Sequence, residues 1–264
     1  MALDAVLFDF DGTIAPTSIR QEAWLKFYSQ IHGKEWPFAT FDTFLSFYNQ
    51  QCSRQGGVQN VYDELGLPCD MNDKKHPVWP AYERFNQDNP QDLYPGMKET
   101  VEEIWKLGGL SKDPGRNSRL RLGINTANSW RSIFRDLDKG GILPYFDCFI
   151  AEEILSRYHG AGNQNAIKKP SPISLNLSLE MLGSSGARVL HIGDTLNDLH
   201  ASHKVLRFNP LREENLVTVG ACYGYEGREK LGAGVQTAEG AVKFDYLIDT
   251  PKELVGIVKE LLSK

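Results

Sequence analysis

Apolar positions along this chain follow two rhythms. Leu3 to Phe8 is a compact apolar run closed by a Gly-containing turn, the pattern of a buried strand. Between residues 17 and 32, Ile19, Ala23, Trp24, Phe27, Tyr28 and Ile31 recur at helical spacing, with Thr17 or Ser18 placed to cap the helix. Residues 42–51, 58–65 and 78–86 carry further helical patterns, and nothing between 16 and 92 reads as strand. From Tyr94 onward strands and helices alternate. Helices are predicted at 96–107, from Ser129 to Leu137, at 173–182, after Asp194 and at 251–262. Strands are predicted at 120–125, 146–150, 188–192, 216–219 and 246–248. Such alternation predicts a parallel sheet covered on both faces. The polar, Gly/Asn-rich stretches 111–118 and 158–165 read as surface loops.

The chain therefore reads as two domains: an α/β part, 1–15 with 93–264, and an all-helical insert, 16–92. The insert holds 13 of the 28 aromatic residues. Aromatics at helical spacing normally pack a small core; the alternative is that some line a pocket facing Asp9.

Composition narrows the function classes. With 264 residues, 41% hydrophobic and 24% charged, the chain has the balance of a soluble globular protein. A net charge of −5 argues against a nucleic-acid binder. The four cysteines, Cys52, Cys69, Cys148 and Cys222, form no CxxC pair and suggest neither a disulfide framework nor a zinc site. No signal-peptide pattern and no apolar run long enough to span a bilayer stands in the sequence, so a cytoplasmic location is expected and no membrane partner.

The chemistry gathers where strands end. Asp9 and Asp11 lie two residues apart at the end of the first strand, so they emerge on the same side. Two such carboxylates repel, and a divalent cation is the simplest relief. Thr126 follows the strand 120–125. Lys169 stands in Lys168-Lys169-Pro170-Ser171-Pro172. Gly193-Asp194-Thr195-Leu196-Asn197-Asp198 follows the strand 188–192. In a parallel sheet these ends share one edge, where open α/β sheets bind ligands.

In this order, DxDGT, a Thr after a strand, a Lys before Pro-x-Pro and GDxxxD, the chain resembles the haloacid dehalogenase (HAD) superfamily. The helical insert after the first motif resembles that superfamily's small cap. Tyr94-Pro95-Gly96 and Cys222-Tyr223-Gly224-Tyr225 resemble short patterns of its phosphoglycolate-phosphatase-like members. The resemblance implies an α/β, Rossmann-like three-layer core with a substrate-selecting helical cap. It also implies an Mg²⁺-dependent phosphatase acting on a small phosphorylated metabolite, phosphoglycolate being the named example.

The resemblance also assigns roles. Asp9 is the nucleophile, splitting hydrolysis into two steps through an aspartyl-phosphate. Asp11 is general acid and then base, and its main-chain carbonyl reaches the metal. Thr126 and the backbone at Ala127 bind the phosphoryl group; many family members carry a polar residue where this chain has Ala127. Lys169, rather than Lys168, balances charge on the phosphoryl group and Asp9. Asp9, Asp11 and Asp194 hold Mg²⁺, and Asp198, one helical turn on, faces the metal or Lys169.

Other residues carry two readings. His200 and His203 have the spacing of helical metal ligands but no third partner in view, so packing or surface is the expectation. His191, inside a strand, reads as a core histidine. Arg20, Lys34 and Arg54 are cap cations for a substrate carboxylate, or else solvated surface charge. A phosphomutase of the β-phosphoglucomutase kind would keep the same core. A phosphonatase would need a cap lysine such as Lys26 or Lys34, and a non-catalytic binding protein would have little use for the intact motif set.

Overall fold

A computed structural model of the protein describes residues 3–52, 54, 57–71, 73, 75–109, 120–159, 166–184, 187–208, 215–238 and 240–264. The chain divides into two compact units, Met1–Pro16 with Asp92–Lys264, and Thr17–Gln91.

The larger unit is built on a six-stranded sheet. Its strands are β1 (Leu3–Phe8), β2 (Arg121–Asn125), β3 (Cys148–Ile150), β4 (Arg188–Gly193), β5 (Leu216–Ala221) and, after a short antiparallel pair β6 (Val235–Thr237) and β7 (Gly240–Val242), β8 (Tyr246–Ile248). The order is β3-β2-β1-β4-β5-β8, and every pair in it is parallel. Val6 lies between Leu122 and Leu190, and Phe8 between Ile124 and Ile192.

The two-residue period of β1 sends Val6 and Phe8 into one apolar layer and Ala5 and Leu7 into the other. The first layer is completed by α5 (Met97–Gly108), α6 (Trp130–Lys139) and α11 (Glu253–Ser263), through Met97, Val101, Ile104, Ile133, Leu137, Leu254 and Val258. The second is completed by α7 (Glu152–His159), α8 (Ile173–Met181) and α9 (Leu196–Phe208), through Leu155, Leu175, Leu179, Ala201 and Val205. Because both faces are covered, β1 is apolar from Ala5 to Phe8, as a central parallel strand tends to be, and its one charged residue, the half-buried Asp4 near the strand's start, pairs with Arg121. The chain runs outward from β1 to β2 and β3, then returns to β4 on the other side. That reversal places a topological switch point between the ends of β1 and β4.

The structure departs from the sequence pattern in several places. The predicted strand 146–150 is shortened to Cys148–Ile150, because Leu143–Tyr145 forms a turn of 3-10 helix ending at Phe146. The helices α7 and α10 (Gly227–Ala233) and the β6–β7 pair were not predicted. The predicted loop 111–118 lies outside the described residues. Of the predicted loop 158–165, residues 158 and 159 end α7 and residues 160–165 lie outside the described set.

The smaller unit contains α1 (Thr17–Ile31), α2 (Phe41–Cys52), α3 (Val58–Glu64) and α4 (Val78–Asp88). Its aromatics pack against one another: Trp24, Tyr28, Phe44, Tyr48 and Tyr62 are buried, Trp24 stacks on Tyr28 at 4.8 Å, and its indole N–H donates to the Tyr62 hydroxyl at 2.7 Å. The concentration of large rings is what lets so short a segment bury a core of its own. Among the described residues no helix is long and apolar enough to cross a membrane.

Candidate active site

The site is built at the switch point. The Asp9 amide extends the β1–β4 ladder by donating to the Ile192 carbonyl at 2.8 Å, which fixes Asp9 at the sheet edge. The chain then folds tightly: Ile14 and Ala15 amides both return to the Phe10 carbonyl, at 2.9 and 3.1 Å. Gly12 supplies the positive φ of +78° that this turn requires. A Cβ there would also lie 2.0 Å from Asp194 Oδ2, so the turn and the end of β4 are packed backbone against side chain.

Lys169 joins the two halves of the site. Its buried ammonium donates to Asp9 Oδ1 at 2.6 Å and to the Asn125 carbonyl at 3.1 Å, and pairs with Asp198 Oδ1 at 2.6 Å. Of the two adjacent lysines it is Lys169 that meets Asp9. Asp198 is held on its other oxygen by the Thr195 amide at 3.1 Å and hydroxyl at 2.6 Å. Behind it lies His191, wholly buried, with Nδ1 2.8 Å from Ser202 Oγ and Nε2 3.9 Å from Asp198 Oδ1.

Asp11 is held by the residues that follow β2. Thr126 Oγ donates to Asp11 Oδ2 at 2.9 Å, and Asn128 Nδ2 donates to Asp11 Oδ1 at 3.0 Å. The Thr126 hydroxyl in turn accepts from the Asn128 amide at 3.0 Å. Ala127, between them, is exposed.

Asp194 is fully buried at the end of β4. Its Oδ2 accepts from the Tyr225 amide at 2.7 Å, while its Oδ1 is buried and has no hydrogen-bond partner among the described residues. The segment after β5 closes over it. A Cβ on Gly224 would lie 2.3 Å from Asp194 Cβ and 2.4 Å from the Gly12 carbonyl, so only glycine fits. Glu226 then accepts from the Leu196 amide at 2.6 Å, satisfying an N–H at the start of α9.

The electrostatics of this arrangement are unbalanced. Carboxylate oxygens of Asp9, Asp194 and Asp198 all lie within 4.8 Å of one another, and the Lys169 ammonium stands among them. Burial, together with the neighbouring Asp198 and Asp11, pushes Asp9 up to about 7 even against the pull of Lys169. Burial, with Asp9 and Asp198 adding to it, raises Asp194 well above the ordinary carboxylate range. Asp198 goes the other way: burial would raise it, but Lys169 and the Thr195 hydroxyl hold it low. Burial alone would depress Lys169, and Asp198 and Asp9 reverse that and raise it. His191 is driven down to about 4 by burial, so it is neutral beside Asp198. Three carboxylates against one ammonium leave two negative charges in excess, which a divalent cation would balance. The unpartnered Asp194 Oδ1 and the hard oxygen donors around it fit such a cation.

Among the described residues, Asp9, Asp194 and Asp198 form the group able to hold a metal, and neither His200 nor His203 belongs to it. In the smaller unit Lys34 and Arg54 are exposed, as solvated charges are, with Arg54 3.6 Å from Glu64. Arg20 is instead only 3% exposed, so the solvated reading fails for it. Sequence reasoning missed Asn128, Thr195, Tyr225 and Glu226. Only the Cys222–Tyr225 pattern pointed toward any of them, Tyr225, and it did so by resemblance; nothing pointed toward Glu226.

Comparison with known proteins places this architecture. A family model of haloacid dehalogenase-like hydrolases matches residues 3–205. Phosphoglycolate phosphatase of Vibrio parahaemolyticus is 25% identical over 166 residues, a match spanning 63% of this chain and 56% of that protein. Pyrophosphatase PpaX of Bacillus cereus is 22% identical across 99% of both chains. The solved structure of YfnB from Bacillus subtilis bound to magnesium superposes with a TM-score of 0.66 and 17% identity, covering 98% of this chain and 99% of that one. The fold, the strand-end motifs and the family match over residues 3–205 agree: the chain is an enzyme belonging to the haloacid dehalogenase-like hydrolases.

Proposed function

We propose that the protein is an Mg²⁺-dependent phosphatase that hydrolyses a small phosphomonoester, of the phosphoglycolate kind, through a phosphorylated Asp9. The observation that carries this reading is the pairing of buried Asp9 with Lys169 at 2.6 Å beside Asp194, whose Oδ1 lacks a partner. An attacking carboxylate needs an adjacent positive charge both to ionise in a buried site and to accept an anionic substrate.

In the first step an Asp9 oxygen attacks phosphorus and the bond from phosphorus to the leaving oxygen breaks. Asp11 passes its proton to that oxygen. In the second step water attacks the aspartyl-phosphate, its proton returns to Asp11, and the bond from phosphorus to Asp9 breaks. Lys169 offsets negative charge on Asp9 throughout, and Asp198 keeps the ammonium in place. Thr126 and the Ala127 amide receive phosphoryl oxygens. Asp9, Asp194 and the Asp11 main-chain carbonyl would hold Mg²⁺, which when bound supplies charge neutralisation at the phosphoryl oxygens. The Thr17–Gln91 unit is the proposed cap, selecting the substrate's non-phosphate part.

A second reading, inorganic pyrophosphate as substrate, is favoured by the match to PpaX along 99% of both chains. It uses the same core with phosphate as leaving group. The test is phosphate release from 2-phosphoglycolate, pyrophosphate and a panel of sugar phosphates, with Mg²⁺ and with EDTA, by wild type and Asp9→Asn. Mg²⁺-dependent release absent from the variant is expected. Release retained by Asp9→Asn would overturn the nucleophile assignment, and phosphoryl transfer between sugars without release would mark a mutase.

A further inference from the structure

Thr126 has one hydroxyl proton, and in this structure it is given to Asp11 Oδ2. The proposed mechanism asks the same hydroxyl to donate to a phosphoryl oxygen. It can serve both only if the direction of the first contact reverses: as an acid, Asp11 donates from Oδ2 to Thr126 Oγ1, and the Thr126 proton is then free for the phosphoryl oxygen. The Asn128 side-chain amide remains on the other oxygen, Asp11 Oδ1, at 3.0 Å.

The orientation of that amide is fixed independently of Asp11. Asn128 Oδ1 accepts from the Ser129 amide at 2.8 Å, which turns Nδ2 toward Asp11. The Asn128 carbonyl accepts from the Glu152 amide at 3.0 Å, tying its backbone to the start of α7. Asn128 is therefore a donor held from two sides, at the end of β2, aimed at the carboxyl that must hand over a proton. With both oxygens accepting, Asp11 is the carboxylate in this structure; when it is the acid, a donor held on Oδ1 favours that oxygen as the carbonyl and the proton on Oδ2.

We propose that Asn128 is a positioning residue for general acid catalysis. It holds Asp11 Oδ1 as the acceptor, so that the transferable proton resides on Oδ2, the oxygen that faces Thr126. The proton then passes from Oδ2 to the leaving oxygen as the phosphorus–oxygen bond breaks and the bond to Asp9 forms. In the hydrolytic step Oδ2 takes a proton from water. This inference rests on the assignment of Asp11 as the acid.

Leaving-group dependence tests it. An alkyl phosphate such as 2-phosphoglycolate needs the proton to depart, whereas p-nitrophenolate departs without one. Since kcat/KM reports the phosphorylation of Asp9, the ratio of kcat/KM for 2-phosphoglycolate to that for p-nitrophenyl phosphate isolates the acid. Wild type, Asp11→Asn, Asn128→Ala, Asn128→Asp and the Asp11→Asn/Asn128→Ala double variant are compared, with folding checked by circular dichroism. Asn128→Asp places a carboxylate against Asp11 at nearly the same volume, so it serves if the alanine variant fails to fold.

The inference expects Asn128→Ala and Asn128→Asp each to lower the ratio about tenfold or more, the size of one hydrogen bond to an ionisable group. It also expects no additional fall in the double variant beyond Asp11→Asn. Equal losses on both substrates would reduce Asn128 to a structural role and overturn it. A fall in the ratio for Asp11→Asn but not for the Asn128 variants would overturn the role of Asn128 and keep Asp11 as acid. An unchanged ratio in Asp11→Asn would overturn the acid assignment itself, and the inference with it.

Discussion

The charge imbalance at the sheet edge makes a prediction about the metal-free protein. Asp9 titrates near 7 in the folded chain against 3.8 as an ordinary carboxylate, because it is buried among other carboxylates. A group whose folded value is raised contributes stability that is fully present below 3.8 and is lost as pH rises through about 7. At 1.36 kcal/mol per unit, the loss reaches about 2 kcal/mol between pH 5 and pH 7 and about 4 kcal/mol once Asp9 is fully ionised. For a chain of this size 2 kcal/mol is about 5 °C in Tm. Thermal unfolding of wild type and Asp9→Asn in EDTA should therefore diverge with pH, the variant gaining about 5 °C on wild type from pH 5 to pH 7. A constant offset from the lost Lys169 pair is expected as well, but it does not depend on pH, since Lys169 stays charged throughout this range. Added Mg²⁺ should remove the wild type's loss by giving ionised Asp9 a partner. Parallel curves for the two proteins in EDTA would refute the claim that folding carries a charge penalty at Asp9.

Asp194→Asn removes a buried carboxylate and one hard ligand; it should melt higher than wild type in EDTA and respond weakly to Mg²⁺, and a thermal-shift titration with an unchanged Mg²⁺ midpoint would remove Asp194 from the metal site. Lys169→Gln should abolish turnover and destabilise the protein by about 3–5 kcal/mol at pH 8, where both of its carboxylate partners are then left buried and unpaired; urea unfolding at wild-type stability would contradict this. Gly224→Ala forces a Cβ to 2.3 Å from Asp194 Cβ and 2.4 Å from the Gly12 carbonyl, so it should cost about 1–3 kcal/mol and weaken Mg²⁺ binding, both read in the same melting experiment.

Much of the fold could be read because its central strands obey one strong rule. A strand covered on both faces is mostly apolar, so Ala5–Phe8 and Val189–Ile192 stand out as short runs whose one polar member, His191, is buried. The elements that escaped have no such constraint. In α7 only Ile154 and Leu155 are aliphatic among Glu152–His159, too few to set a period. The seven residues of α10 begin at a glycine and contain another, Gly232, which lowers helix preference. Three-residue strands such as Val235–Thr237 and Gly240–Val242 are too short to show alternation.

The site divides along a different line. Asp9 and Asp194 could be placed together because strand ends in a parallel sheet share an edge, so position along the chain translates into position in space; Lys169 lies at no strand end but between α7 and α8, and it was the resemblance that singled it out over Lys168. Asn128, Tyr225 and Glu226 act through contacts that no local pattern encodes. Asn128 reaches Asp11 across 117 residues, and the Tyr225 amide reaches Asp194 across 31. Two of these contacts are made by or to main-chain N–H groups, which every residue but proline carries; what the sequence records is only the glycine that lets the chain come close enough. Gly224 is that mark: its side is filled by Asp194, and its neighbour's amide supplies the one hydrogen bond that opposes the burial of that carboxylate. The segment after β5 thus partners one oxygen of Asp194 and leaves the other bare. A fold that merely tolerated a buried aspartate would satisfy both. Leaving Oδ1 unpartnered, beside an Asp9 that also lacks sufficient positive charge, makes the stability of the core and the binding of a divalent cation one and the same problem, which is why the metal-free melting experiment and the activity assay should respond to the same substitutions.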